Sequence, residues 1–288
     1  MILVTGGTGK VGSAATRGLA GRGVPVRTLV RDPDKAAALA AAGADIAVGD
    51  FDVDASLDTA MVGVSVVVMV SPAVPDQELA VIDAAVRAGV GHLVKATSKA
   101  SVDSPVGRRR GQAQIEAGLA ASGLRHTLLR SNAYMQNFLA LAPMIRTHNG
   151  FASSAGTGRV GLIDARDVGA VAAEIALDPQ RLGGRTYWLT GPELLSYSDA
   201  ATTLSAVLGH PITFQARTED EDRAAMLAAG VPERVATDNA RAFSLISEGD
   251  AAWLTDDATL VLGRSPRTFH EFVTEHSAVF DPQPRPTG

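Results

Sequence analysis

The sequence predicts an α/β chain built on a doubly wound parallel sheet, followed by a smaller, mainly helical C-terminal lobe on the substrate side. Three observations predict it. Short apolar, β-branched runs alternate with longer amphipathic segments through the first 130 residues. A glycine-rich turn, Gly6-Gly7-Thr8-Gly9-Lys10-Val11-Gly12, follows the first such run and opens the first helical segment. Beyond Gly191 the alternation gives way to helical periodicity.

The elements follow in order. Ile2–Thr5, Pro25–Val30, Asp45–Val48, Val64–Ser71, Gly91–Thr97 and Arg125–Arg130 read as strands. Several are apolar on both faces, as in a sheet covered on both sides. Lys10–Arg22, Pro33–Ala42, Ser56–Met61, Asp76–Ala88 and Gly107–Ser122 read as the helices between them. Asn132–Asn149 reads as one long apolar helix. Phe151–Ser154, Arg159–Ile163, Arg185–Leu189 and Ile212–Gln215 read as strands. Asp164–Leu177, Ser196–Leu208, Thr218–Ala229, Pro232–Glu248 and Thr268–His276 read as helices. The expected organisation is a nucleotide-binding core over 1–131, completed by 159–190. A substrate-side lobe takes 132–158 and 191–280, and a flexible tail with three prolines takes 281–288.

Composition removes several classes. The chain has 288 residues, no cysteine and a formal net charge of −5. Disulfides, iron–sulfur clusters, zinc ribbons and thiol nucleophiles are excluded. The mild acidity argues against a nucleic-acid partner. The most apolar run, Val62–Val70, is too short to cross a bilayer, and no secretory leader is visible. A cytoplasmic protein without membrane contact is expected. The six histidines are scattered without carboxylate companions, so no metal is expected. There is no G-x-S-x-G elbow and no Walker loop.

The glycine turn carries the strongest chemistry. Gly7, Gly9 and Gly12 fit G-x-G-x-x-G, and Gly6, Gly9 and Gly12 fit G-x-x-G-x-x-G. Glycines let the chain turn tightly and approach a pyrophosphate, which the N-terminus of the following helix attracts. The alternative is a glycine-rich turn that binds nothing. Cofactor choice is read after the second strand, at Arg31-Asp32. Arg31 can pair with a 2′-phosphate, helped by Lys35, which favours NADPH over NADH. Asp32 could instead serve a ribose hydroxyl, and the pair could be a solvated turn before Pro33. Asp50-Phe51 follows the third strand; Asp50 is a candidate for the adenine edge or a simple Asx turn.

These motifs, with Val-Arg-x-Leu-Val-Arg-Asp-Pro-x-Lys over 26–35, Ile115-Glu116, Ser122-Gly123-Leu124 and Thr127-Leu128-Leu129-Arg130-Ser131-Asn132-Ala133-Tyr134-Met135-Gln136-Asn137, resemble the NmrA-like branch of atypical short-chain dehydrogenases. The stretch from Gly191 to Tyr197 and on to Arg264 resembles members akin to type 2 NAD(P)H:quinone reductases and agroclavine-dehydrogenase-like reductases. The resemblance implies a Rossmann-type core and an NADP(H)-binding role. The family includes reductases of quinones, azo dyes, cyclic imines and ethers, and redox-sensing regulators without turnover.

Departures from the pattern constrain the chemistry. Ordinary short-chain dehydrogenases use Tyr-x-x-x-Lys; here Tyr134, Tyr187 and Tyr197 are followed four residues later by Phe138, Gly191 and Ala201. Thr97 stands where such enzymes carry a catalytic Ser. Relatives often carry His at the position of Gln112 and Pro at that of Ser131. Without a tuned acid, a simple ketone is a poor acceptor, because its alkoxide needs a proton. A quinone, azo compound or cyclic iminium needs mainly orientation over the nicotinamide.

In doubly wound sheets the ligand crevice lies beyond the carboxyl ends of the strands. Ser71, Pro72, Thr97 and Lys99 are the candidates to border the nicotinamide, although Lys99 could be a solvated loop residue. Asn132, Tyr134, Met135 and Phe138 are the candidates for the substrate side, with Tyr134, Asn132 and Thr97 as the catalytic set. Met135 and Phe138 could equally be core, and Asn132 an N-cap. The expected partner is a small-molecule substrate, with a homodimer left open. The leading expectation is an NADPH-dependent reductase of a conjugated or cationic acceptor. The alternative is a non-catalytic NADP(H) sensor; an isomerase or dehydratase is the third reading.

Overall fold

The computed structural model describes residues 1–281. The expected tail therefore lies, from 282 onward, outside the described residues. The chain divides into two compact units. The first comprises Met1–Ser131, Ala165–Leu189 and Asp257–Arg264; the second comprises Asn132–Asp164, Thr190–Asp256 and Ser265–Gly288. Against the expected boundaries, residues 159–164 and Thr190 fall in the second unit and Asp257–Arg264 in the first.

Along the chain, β1 (Ile2–Thr5), α1 (Lys10–Ala20), β2 (Val26–Val30), α2 (Ala37–Ala40), β3 (Asp45–Val48), α3 (Asp54–Met61), β4 (Val66–Met69), α4 (Pro75–Arg87), β5 (His92–Thr97), α5 (Gly107–Ala121) and β6 (His126–Ser131) build most of the first unit. The chain then passes through α6 (Ala142–His148), β7 (Gly150–Ser153) and β8 (Arg159–Val160). It returns to the first unit with α7 (Ala165–Leu177), α8 (Pro179–Leu182) and β9 (Thr186–Leu189). There follow β10 (Leu195–Ser196), α9 (Tyr197–Leu208), β11 (Thr213–Ala216), α10 (Glu219–Ala228), α11 (Glu233–Ser247), α12 (Asp257–Leu262), α13 (Phe269–Glu275) and α14 (Ser277–Phe280).

The first unit is a seven-stranded sheet of order β3-β2-β1-β4-β5-β6-β9. Every pair is parallel, with Ile2 facing Val26 on one side and Val66 on the other. The chain order reverses between β1 and β4, which makes that junction the switch point where doubly wound sheets bind ligands. β1 and β4 are buried along their whole length, as a sheet covered on both faces requires. α1 packs on α7 closely enough that a Cβ on Gly169 would stand 2.7 Å from the Val11 carbonyl oxygen. Leu3, Leu57, Met61, Val67, Met69, Ile82, Leu93, Ile115 and Leu119 form an aliphatic core.

The second unit has a parallel pair, β7 with β11, and an antiparallel pair, β8 with β10. Its core is aromatic: Phe138, Phe151, Tyr197, Phe269 and Phe272 pack with Ile145 and Leu204. Three capping boxes close the N-termini of α9, α10 and α13, through Ser196 with Asp199, Thr218 with Glu221 and Thr268 with Glu271.

The single helix expected over Asn132–Asn149 does not form. Asn132 and Ala133 carry no regular structure, Tyr134 is extended, Met135–Leu141 is a 3-10 helix, and only α6 is α-helical. The reason lies in the backbone. Met135 N donates to Ile163 O (2.9 Å) and Ile163 N to Ala133 O (3.0 Å), which commits the expected first turn to a strand-like bridge. Pro143 then has no N–H to carry a helix across the junction. Asn149, at φ +50, ends α6 in the left-handed region, which asparagine tolerates.

Candidate functional site

β1 ends at Thr5, and the chain turns through Gly6–Gly9 into α1. Gly6 has φ +60, and a Cβ there would stand 2.5 Å from the Val70 carbonyl oxygen. A Cβ on Gly7 would stand 1.7 Å from Thr28 Oγ1, and one on Gly12 would stand 2.3 Å from the Gly6 carbonyl oxygen. No side chain larger than hydrogen fits at these three positions. Gly9 N donates to Gly6 O (2.9 Å), and Gly9 itself caps α1 without a side chain. The first turn of α1 carries Lys10 and no acidic residue. An eleven-residue helix with such a start favours an anion. Thr8 and Lys10 are exposed, while Val11 anchors the helix in the core at 3% exposure. Desolvation lowers the Lys10 ammonium below the ordinary lysine range.

The other candidates of this unit stand at the same carboxyl edge of the sheet. Arg31 follows β2 and is exposed. Asp32 is engaged otherwise: its Oδ1 accepts from Asp34 N (3.1 Å), capping the 3-10 turn Pro33–Ala36, and its Oδ2 lies 3.4 Å from Lys35 Nζ. Asp50 makes the Asx turn, with Oδ1 accepting from Asp52 N (3.1 Å), and its backbone is tied to Ser56 Oγ. Phe51 packs against the aliphatic core. Ser71 Oγ bonds to Glu78, and Pro72 is exposed beside it. Thr97 ends β5 at 5% exposure. Its hydroxyl lies 2.9 Å from Gln112 Oε1 and 3.1 Å from Glu116 Oε1, so its one proton is shared inside the unit. Glu116 in turn pairs with Arg130, whose guanidinium lies 5.0 Å from the centre of the Trp188 ring. Lys99 is half-buried two residues further on.

The remaining candidates belong to the second unit. Asn132 is not an N-cap. Its Nδ2 donates to Ala251 O (3.0 Å) and its Oδ1 accepts from Ala133 N (2.9 Å). Tyr134 is half-buried and precedes the 3-10 helix. Met135 and Phe138 are each 1% exposed. Phe138 lies 4.7 Å from Phe269, 5.6 Å from Tyr197 and 5.7 Å from Phe151, centre to centre. The core alternative describes these two side chains; in this packing they line no open surface.

Comparison with known proteins adds the family. The model of the NmrA-like family matches residues 1–273. This chain belongs to the NmrA-like family. It is similar to an NAD(P)H azoreductase of Xenophilus azovorans, at 38% identity over 97% of this chain and 99% of that one. It is similar to quinone oxidoreductase 2 of Escherichia coli, at 32% identity over 82% and 84% of the two chains. The crystal structure of that type of Escherichia coli enzyme with NADPH superposes with a TM-score of 0.86 and 29% identity, over 96% of this chain and 99% of that one. The NADP(H) complex of a Citrobacter triphenylmethane reductase gives 0.85 and 25%, over 96% and 100%.

Three groups of this NmrA-like chain carry no sequence motif. Thr28 Oγ1 fills the space that the missing Gly7 side chain leaves, while donating to Val4 O (3.2 Å). Lys95 and Glu78 form a buried ion pair behind Ser71. Thr5 Oγ1 donates to Val70 O (2.9 Å) and accepts from Val70 N (2.9 Å), clamping β1 to the end of β4. Only the identity of Lys95, a cation inside an apolar strand run, marks any of them in advance. Among the described residues, no cluster of metal-ligating side chains exists and no helix is long and apolar enough to cross a membrane.

Proposed function

We propose that this protein is an NADPH-dependent reductase that delivers hydride to a conjugated or cationic small-molecule acceptor: a quinone, an azo compound or a cyclic iminium. The observation that carries the cofactor half is the cradle: at Gly6, Gly7 and Gly12 a single methyl group would collide with the protein itself. That geometry suits close approach of a pyrophosphate to the backbone. Bound NADPH supplies the hydride. The chain's own residues bind and orient. Gly6–Gly12 and the start of α1 hold the diphosphate. Arg31 stands exposed to take a 2′-phosphate, and Asp32 is occupied by its cap and by Lys35, so it competes less for the ribose. Ser71, Pro72 and Lys99 border the nicotinamide end. Asn132 and Tyr134 are the proposed acceptor residues, with Thr97, held by Gln112 and Glu116, the third member of the proposed catalytic set.

The acceptor class rests on chemistry. No lysine stands four residues after any tyrosine. An acceptor whose reduced form needs no placed acid fits such a site. The names of the azoreductase and quinone reductase relatives support the same class. A second reading, an NADP(H) sensor without turnover, draws on the burial of Met135 and Phe138 in the aromatic core.

The test follows NADPH oxidation against quinone, azo-dye and cyclic-iminium acceptors, with NADH in parallel. The reductase reading expects turnover with at least one class. Tight NADPH binding without turnover across all three turns the reading to the sensor. Arg31→Ala is expected to weaken NADPH by about 10- to 100-fold, the worth of a charge-assisted contact, and NADH far less; equal weakening removes Arg31 from the phosphate site.

A further inference from the structure

The end of β4 is held by charges that the proposed reaction does not use. Lys95, within β5, is 0% exposed, and Glu78, in the first turns of α4, is 1% exposed. Lys95 Nζ pairs with Glu78 Oε2. The other carboxylate oxygen, Oε1, accepts from Ser71 Oγ at 2.5 Å. With its proton given to Glu78, Ser71 Oγ accepts from Ala73 N at 3.1 Å. Ala73 has φ +63, a left-handed conformation that an L residue with a Cβ adopts only under restraint. On the other side of the same loop, Thr5 clamps Val70, and Val70 O stands 2.5 Å from where a Gly6 Cβ would be. A continuous path of contacts therefore runs from Lys95 through Glu78 and Ser71 into a strained turn, and by way of Val70 into the glycine cradle.

A buried ion pair is poor value for stability alone, since well-packed apolar residues of similar volume do as well or better. What it adds is direction: Glu78 can hold Ser71 Oγ at one point only while its other oxygen is fixed on Lys95. Resting on the NADPH reading above, we propose that Glu78 and Lys95 are positioning residues that hold the Ser71–Pro75 turn in the shape that receives the nicotinamide end of the cofactor. They touch no cofactor themselves; they act through Ser71.

The test compares the double variant Glu78→Leu with Lys95→Met, which leaves no lone buried charge, with Ser71→Ala and Ser71→Thr. The double variant is expected to melt near wild type, to bind NADPH about tenfold more weakly, and to exchange amide hydrogens faster over 71–75. Ser71→Ala should move both readouts in the same direction, with Kd rising about threefold, the worth of one neutral hydrogen bond. Ser71→Thr, which keeps the hydroxyl, should restore them. Unchanged NADPH affinity and unchanged exchange in a folded double variant would make the pair structural only and overturn the proposal. If the double variant does not fold, Ser71→Ala decides by the same two readouts. If wild-type protein binds no NADPH, the functional reading fails, and the exchange measurement alone still decides whether the pair holds the turn.

Discussion

The turn over residues 6–12 and the segment over 132–149 are both short, and both were expected to meet a ligand, yet they are built on opposite principles. The glycine turn works by missing atoms: each absent Cβ leaves room that Thr28, Val70 or the backbone of Gly6 occupies. The later segment works by bulk: Phe138 alone touches three other aromatic rings within 6 Å. A requirement for absence restricts a position to one residue type, whereas a requirement for bulk accepts several. The first kind of region announces its purpose, and the second announces only that it is inside.

That contrast can be broken by experiment. The largest effect belongs to Phe138→Ala, which should cost about 3–5 kcal/mol of stability in denaturant unfolding. NADPH affinity under native conditions should stay unchanged; a parallel loss of affinity would show that the segment's packing serves the cofactor after all. Next comes Gly7→Ala, whose methyl would overlap the Thr28 hydroxyl. NADPH affinity should fall about 100-fold by fluorescence titration, or about 2.7 kcal/mol. Adding Thr28→Ala should recover part of it; no recovery would move the cause away from that collision.

A third probe sharpens the comparison at the amino-terminal edge of the same sheet. His92 is 2% exposed, its Nε2 lies 2.8 Å from Thr127 Oγ1, and its Nδ1 has no partner among the described residues. Burial, with the charges of Arg125 and His126, lowers its pKa to about 4 from 6.5. The unfolded chain therefore takes up a proton between those values that the folded chain refuses. The His92 contribution is complete above pH 6.5 and is lost as pH falls toward 4, about 2 kcal/mol of it by pH 5. Melting at pH 7 and pH 5 should show the drop, and His92→Gln should flatten it. The smallest effect is Tyr134→Phe, expected to lower kcat less than tenfold because no lysine tunes the phenol. A fall of several orders of magnitude would make Tyr134 an essential acid and give this segment a chemical role that bulk cannot explain.

Much of the first unit was legible in the chain itself. β1 and β3 run over the expected residues, and β2, β4, β5 and β6 differ by one or two at their ends, because runs of Val, Ile and Leu bounded by glycine have one reading in a covered sheet. α12 was missed: Asp257 Oδ2 accepts from Trp188 N (2.7 Å), Ala258 is buried, and a six-residue helix that packs on α7 and β9 is too short to show periodicity. The helix over Asn132–Asn149 failed because apolar spacing cannot report a backbone bridge to Ile163. At the candidate site, the glycines were readable because they answer to backbone space; Arg31 was readable as an exposed charge after β2. Asp50 was readable as the local Asx turn it makes with Asp52. Asn132 and Thr97 were readable only as residue types, because their partners Ala251 and Gln112 are set by the fold.

The three-segment composition of the first unit has a consequence for biosynthesis. β6 ends at Ser131, but its outer neighbour β9 begins at Thr186. At translation speeds of about 5–20 residues per second, the intervening stretch takes roughly 3–11 s to emerge. During that interval β6 presents an open edge of unpaired amides and carbonyls on the ribosome, the kind of template on which other nascent chains pair. Chaperone demand during expression should therefore centre on that window. A ribosome stalled between Ser131 and Thr186 should yield a more aggregation-prone product than one stalled after Leu189.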